Sequence, residues 1–442
     1  MTIPRTAILT IGREKRSARS LSTRIRRAMK CDRFTKARDA WSWAKIGATL
    51  WAILFMSGCI DAQTAQVRTI QEPAIRVGAE RTEVYLPLLE GQRIAVVTNQ
   101  TGRIGHTHLV DSLLALKVNV VKVFGPEHGF RGEASDGELV KDSKDLKSGL
   151  PVLSMYGDSK KLKSQQVADI DVLLFDIQDV GVRFYTYIST LHYIMETAAE
   201  EGKKVIVLDR PNPNGFYVDG PVLDPAFTSY IGMHPVPMVH GMTIGEFATM
   251  INGEGWLKAG VTCDLTVVPC MGYSHDTVYS LPLRPSPNLP NDAAVQLYPS
   301  LGLFEGTIVS VGRGTDQPFQ CIGYPGCPIG GFEFMPHSTP ASKSPPHKDK
   351  LCTGFDLREY GRIQARLDRR VELHWLLEMY SHAMDRSTFF TPYFDKLAGT
   401  ATLKKQIVSG ADVATIRASW QADLDRFRGI RAKYLLYADF KP

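Results

Sequence analysis

Apolar residues run almost unbroken from Val118 to Phe124 and then stop at Gly125-Pro126-Glu127-His128-Gly129. A run without alternation is the signature of a strand covered on both faces by helices. Three further runs end in the same manner. Arg93 to Thr98 leads into Asn99-Gln100-Thr101-Gly102, Asp171 to Phe175 into Asp176-Ile177-Gln178-Asp179, and Lys203 to Leu208 into Asp209-Arg210-Pro211-Asn212-Pro213. Between them Ile188, Leu191, Ile194, Met195 and Ala198 recur at spacings of three and four, as do Leu109, Leu113 and Leu116. Strand and helix alternating at this interval predict an α/β fold with a parallel sheet and right-handed crossovers. All the strand ends then share one edge, where open α/β sheets bind their ligands. Asn99, Glu127, His128, Asp176, Gln178, Asp179 and Asp209 converge there, although more than a hundred positions separate the first from the last.

Glu127 is the leading candidate for chemistry. A carboxylate beside an imidazole at a strand's abrupt end has no packing role, and Gly125, Gly129 and Gly132 let backbone approach a ligand. The plainer reading is a solvated turn with ordinary charges. Asn99 is either a site contact or the residue that closes its turn, and His128 is either catalytic or satisfied by nearby backbone.

Several segments together carry a family resemblance. Val97-Thr98-Asn99-Gln100-Thr101-Gly102, Gly125-Pro126-Glu127-His128-Gly129-Phe130-Arg131-Gly132, Phe175-Asp176-Ile177-Gln178-Asp179-Val180-Gly181-Val182-Arg183-Phe184-Tyr185-Thr186-Tyr187 and Asp209-Arg210-Pro211-Asn212-Pro213 resemble the bacterial exo-β-N-acetylmuramidases (NamZ). His240-Gly241-Met242-Thr243-Ile244-Gly245-Glu246, Pro285-Ser286-Pro287-Asn288-Leu289-Pro290, Tyr298-Pro299-Ser300-Leu301-Gly302-Leu303-Phe304-Glu305-Gly306-Thr307 and Gly312-Arg313-Gly314-Thr315-Asp316-Gln317-Pro318-Phe319 follow in the family's order. The resemblance runs from about Gly78 to the C-terminus. It implies a Rossmann-like domain joined to a smaller C-terminal α/β (α+β) domain, with the active site in the cleft between them. It also implies hydrolysis of a terminal N-acetylmuramic acid from the non-reducing end of peptidoglycan fragments, with Glu127 as the catalytic carboxylate.

Glycosidic cleavage needs an acid for the leaving oxygen and a group that stabilises or captures an oxocarbenium-like centre on the opposite face. A glutamate in a closed cleft can be kept protonated near neutral pH. Glu127 suits the acid, Asp176 and Asp179 suit the second role, and Glu305 is a rival from the second domain. Alternatively the sugar's own acetamido oxygen attacks, oriented by Asp176 or Asp179. Arg183, Tyr185 and Tyr187 are candidates for holding the lactyl carboxylate and the sugar ring, because a guanidinium fork matches a carboxylate; equally, they read as helix N-terminal residues packing on the sheet. Arg313 and Asp316 form a candidate substrate loop. His240 and Glu246 are lesser site candidates, since on the plainer reading His240 precedes a helix and Glu246 faces solvent.

The N-terminal 58 residues stand apart, with 13 Lys and Arg against 3 Asp and Glu; the remainder has 39 against 43. The overall excess of +6 therefore belongs to the leader, and no nucleic-acid surface is implied. Ile46 to Met56 is apolar but too short to span a bilayer, and Ser57-Gly58-Cys59 follows. That order resembles a bacterial lipoprotein signal with Cys59 as the lipidated residue, although Met56 stands where leucine is usual. It places the mature protein on the periplasmic face of a membrane, held there through its lipid alone.

The predicted organisation is a leader over 1–58, a linker over 59–77, the Rossmann-like catalytic domain over 78–225 and the C-terminal domain over 226–442. Helices are predicted near Thr243–Gly253, Leu357–Arg369, Glu372–Met384 and Asp412–Tyr434, and a strand near Asp264–Val268. The apolar stripe Val413, Ile416, Trp420, Leu424 and Phe427 reads as core packing. Cys321 with Cys327, and Cys263 with Cys270, are candidate disulfides that leave Cys352 over, although opposite faces of a strand argue against the second pair. No cysteine spacing matches a structural zinc site, so no metal is expected, and the reading calls for no cofactor. Two other classes compete with a hydrolase. A lipid-anchored muropeptide-binding protein would use the same cleft without cleavage. A dinucleotide oxidoreductase would need a glycine fingerprint that Asn99-Gln100-Thr101-Gly102-Arg103-Ile104-Gly105 lacks.

Overall fold

The computed structural model describes residues 74–127, 129–131, 142–155 and 160–441. The leader, Cys59 and His128 lie outside the described residues. Seven strands form the main sheet, in the spatial order Ser143–Lys144, Pro151–Ser154, Val120–Gly125, Ile94–Thr98, Val172–Asp176, Lys204–Leu208 and Asp264–Val268. Every neighbouring pair is parallel except the short antiparallel edge Ser143–Lys144. Phe124, Val97, Phe175 and Val207 lie in one row across four strands. The turns that follow them accordingly open at one edge, as the alternation of runs requires. Asp264–Val268, expected in the second domain, is instead the outer strand of this sheet.

Alternation within each strand divides two cores. Ile94 and Val96 face the side covered by the helices Thr82–Leu89 and Leu109–Ala115. Ala95, Val97, Phe124 and Phe175 face the other side, against Tyr187–Glu200 and Ile244–Gly253. This second core continues without interruption into Leu297, Phe304, Ile322, Phe394, Ile416 and Trp420. Burial of one such side chain stabilises by roughly 1.5–3 kcal/mol, so the C-terminal half is packed onto the sheet by its own apolar surface. It holds a three-stranded antiparallel sheet with Cys352–Asp356 between Cys321–Tyr324 and Phe332–Phe334. The helix Val413–Arg431 buries Ile416, Trp420, Leu424 and Phe427.

Two expectations change. Glu246 is fully buried: with Thr243 it forms the capping box of the helix Ile244–Gly253, and its Oε1 accepts from Leu436 N at 2.8 Å and lies 3.1 Å from His275 Nε2. The Thr243-x-x-Glu246 spacing is a local capping-box signal, but Leu436 and His275 come from distant chain, and no local pattern reveals them. The five cysteines of the body are all free and buried. Cys263 and Cys270 flank the extended strand Asp264–Val268, which holds their Cα atoms roughly 20 Å apart at about 3.3 Å per residue. Cys321 Sγ instead faces Gln317 O, and Cys327 Sγ faces Met379 Sδ.

Candidate active site

A cleft of about 280 Å³ opens at the carboxyl edge of the sheet. Glu127 lines it at the corner of a turn closed by Gly129 N–H donating to Pro126 O at 3.0 Å. Gly129 has φ +77°, a conformation that strains any residue with a Cβ. The glycine after the strand is thus what lets the chain reverse and hold Glu127 in the opening. Tyr185, Tyr187 and Tyr230 line the cleft on the sheet side, and Tyr298, Phe319 and Tyr393 line it from the C-terminal half.

Tyr187 lines the cleft together with Glu127 and lies within its electrostatic reach. Burial raises the Tyr187 hydroxyl well above its ordinary value, and the charge of Glu127 raises it further. Tyr230 is pushed up to about 12, by burial first and again by Glu127 among the lesser causes. Asn99 Nδ2 donates to Tyr187 Oη at 2.9 Å, while Asn99 Oδ1 accepts from Thr101 N at 2.9 Å. His108 accepts from Val110 N at Nδ1, so its Nε2 carries the proton donated to Asn99 O at 2.9 Å. Asn99 therefore both closes its turn and fixes a cleft-lining hydroxyl. The rings of Tyr185 and Tyr187 meet edge to face at 4.9 Å.

The remaining sequence candidates separate into two groups. Glu305 and Arg313 both line the cleft, and Arg313 Nε donates to Glu305 Oε1 at 2.7 Å. The others sit elsewhere. Asp176 is fully buried, and both its oxygens are taken by Arg210, with Nε to Oδ1 at 2.6 Å and Nη2 to Oδ2 at 2.9 Å. Burial raises its pKa against the opposing pull of Arg210. A carboxylate closed on both oxygens by one guanidinium has no face for a sugar, so the catalytic role expected of Asp176 is corrected to a structural one. Gln178 is likewise internal, with Nε2 donating to the carbonyls of Asp179 and Pro211.

Arg183 is corrected as well. It is fully buried, and its guanidinium donates to Pro221 O, Val236 O, Leu397 O and Ala398 O at 2.7–3.0 Å. Burial pulls it down to about 9, and its partners are backbone carbonyls from three separate stretches of chain. It ties the two halves together and does not reach the cleft. Asp316 is exposed and lies off the cleft wall.

Asp179 lies behind the cleft wall. Its Oδ2 accepts from Gly181 N at 2.6 Å and stands 4.0 Å from His240 Nε2, and its Oδ1 has no hydrogen-bond partner among the described residues. Burial pushes its carboxyl up to about 7, against the amides of Gly181 and Val180. Its negative charge contributes to raising Tyr185, which does line the cleft. His240 is pushed down to about 3, chiefly by burial, and is neutral.

Sequence reasoning missed Lys160, Tyr230, Asn288, Tyr298, Phe319 and Tyr393 as cleft residues. Asn288, Tyr298 and Phe319 sit inside segments that already carried the resemblance, so a signal existed. Lys160, Tyr230 and Tyr393 fall in stretches with no such pattern.

Comparisons with known proteins bear on the family and the fold. The family profile described as exo-beta-N-acetylmuramidase NamZ, N-terminal, matches residues 94–293, and its C-terminal counterpart matches residues 296–437. A Bacillus subtilis relative, peptidoglycan beta-N-acetylmuramidase NamZ, is 37% identical over 413 residues, which cover 87% of this chain and 97% of that one. The crystal structure of a DUF1343 family protein from Bacteroides fragilis superimposes with a TM-score of 0.78 at 45% identity, covering 83% of this chain and 99% of the other. A second DUF1343 protein of that organism gives 0.66 at 30% identity, with 82% and 99% covered. With both halves matched in order and more than a third of positions shared with a relative of nearly the same extent, the chain belongs to the NamZ family of exo-β-N-acetylmuramidases.

Proposed function

We propose that the protein is an exo-acting glycoside hydrolase that releases β-1,4-linked N-acetylmuramic acid from the non-reducing ends of peptidoglycan fragments. The observation that carries the reading is Glu127, set at a turn corner in an aromatic-lined cleft of a chain with this family membership. Glu127 is the group that protonates the leaving oxygen. Among the described carboxylates that line the cleft, Glu305 is its counterpart for the opposite face of the sugar, and Asp179 acts from behind Tyr185. Tyr185 and Tyr187 supply apolar ring faces for the sugar with polar rims for its hydroxyls. A chromogenic N-acetylmuramic acid β-glycoside tests the assignment. Glu127→Gln is expected to lower kcat by about 10³-fold, in line with a lost general acid, with an unchanged melting temperature. Equal activity in the two proteins refutes the role of Glu127. Binding without turnover in the wild type would support instead a protein that only holds muropeptides.

The order of the leader, with its basic stretch, short apolar core and Ser57-Gly58-Cys59, supports export and lipid anchoring on the periplasmic side. Radiolabelled palmitate is expected to enter the wild type and not a Cys59→Ala variant; label in both would sink the anchor.

A further inference from the structure

Muramic acid differs from its neighbour in the glycan, N-acetylglucosamine, by a lactyl ether on O3 that ends in a carboxylate. A cation in the cleft is the most direct way for an enzyme to select the former. Among the described residues, Lys160 and Arg313 are the cationic side chains that line it. Lys160 presents a single ammonium 4.0 Å from the centroid of the Tyr230 ring. Arg313 is held in a more defined way. Its Nε donates to Glu305 Oε1 at 2.7 Å, its guanidinium carbon lies 5.0 Å from the centroid of Phe319, and its side chain is 14% exposed.

The loop that carries Arg313 is built for one position. Gly312 and Gly314 on either side have φ +78° and +82°, and Thr315 closes the turn onto Gly312 O through its amide at 3.1 Å and its hydroxyl at 2.7 Å. Phe319 is itself left-handed, with φ +55°, a conformation rare for a bulky side chain. Its N–H donates to Val311 O at 2.7 Å, and its ring meets Tyr298 edge to face at 5.0 Å. Backbone strain persists only where the surroundings over-determine it, and it gathers at ligand sites. Here it holds the aromatic platform beneath the guanidinium and in the cleft wall.

Resting on the proposed hydrolase reading, we infer that Arg313 is the specificity residue that reads the lactyl carboxylate of the substrate. A planar guanidinium with a fixed orientation matches a planar carboxylate through two parallel N–H···O bonds, which a flexible ammonium cannot imitate.

The test compares two chromogenic β-glycosides, one of N-acetylmuramic acid and one of its lactyl carboxamide, a neutral isostere. The wild type is expected to prefer the acid by about 10²-fold or more in kcat/KM, the scale of a site that leaves a polar group unmatched. Arg313→Met is expected to bring that ratio close to one, mainly through KM for the acid, and Arg313→Lys to leave an intermediate ratio. Phe319→Leu, which removes the platform but keeps the cation, is expected to lower the ratio too, so the inference stays testable if Arg313→Met fails to fold. Lys160→Met leaves the ratio in place. Retention of the wild-type ratio in folded Arg313→Met and Phe319→Leu, or its collapse in Lys160→Met, overturns the assignment. A wild type active on both glycosides but with no preference sinks this inference alone, whereas no turnover of either sinks the hydrolase reading with it.

Discussion

The side-chain amide of Asn99 donates to the hydroxyl of Tyr187 at 2.9 Å, joining the end of one strand to the start of the helix that follows another. Asn99 is fully buried and its carbonyl oxygen is committed to Thr101, so the direction of this bond is fixed. Asn99→Ala is expected to leave the Tyr187 hydroxyl without its donor and to lower kcat by about tenfold, near the worth of one buried hydrogen bond. Tyr187→Phe should cost a similar amount, and the double variant little more than either. Steady-state kinetics on the four proteins check this, and fully additive losses would show that the two residues act independently.

The pair Asp176–Arg210 should behave as structure and not as chemistry. Arg210→Met strands a buried carboxylate, with an expected loss of about 3–5 kcal/mol, and adding Asp176→Leu should recover much of it. Asp176→Asn should lower stability while the folded fraction keeps its kcat. Thermal melts beside active-site-normalised rates decide the matter; an inactive Asp176→Asn with an unchanged melt would return this residue to the catalytic list.

Asp179 gives the protein a pH dependence of definite sign. Its carboxyl stands at about 7 in the fold against an ordinary 3.8, so its proton is held more tightly folded than unfolded. The stability linked to it is complete below the ordinary value and is lost as pH rises through about 7. Asp179→Asn removes that dependence. By chemical denaturation, the wild type should lose on the order of 2–4 kcal/mol relative to the variant between pH 4 and pH 8. Parallel stability profiles would mean that Asp179 is already charged in the fold.

Much of the sheet was legible along the chain because each strand is buried on both faces and must be apolar throughout. The strands at Ile94–Thr98, Val120–Gly125, Val172–Asp176 and Lys204–Leu208 all begin and end within two residues of the runs that foretold them. Asp264–Val268 was placed residue for residue, but its partner was not, since a strand's sequence does not say which neighbour completes its hydrogen bonds. The antiparallel sheet of the C-terminal half is built from strands of three to five residues, too short for a periodicity to stand out.

By itself the sequence determined that several polar turns would share one rim and that Glu127 would stand in one of them, because strand direction and glycine conformation are local properties. Only the tertiary structure decided which charged groups meet solvent and which meet each other. Asp176 and Asp179 lie three residues apart, yet one is closed by Arg210 and the other stands behind Tyr185. Arg183 is spent on four carbonyls, and Arg313, 130 positions later, lies in the cleft. A buried charge is satisfied by whichever partners the fold brings within about 3 Å, and those partners come from chain distant in sequence.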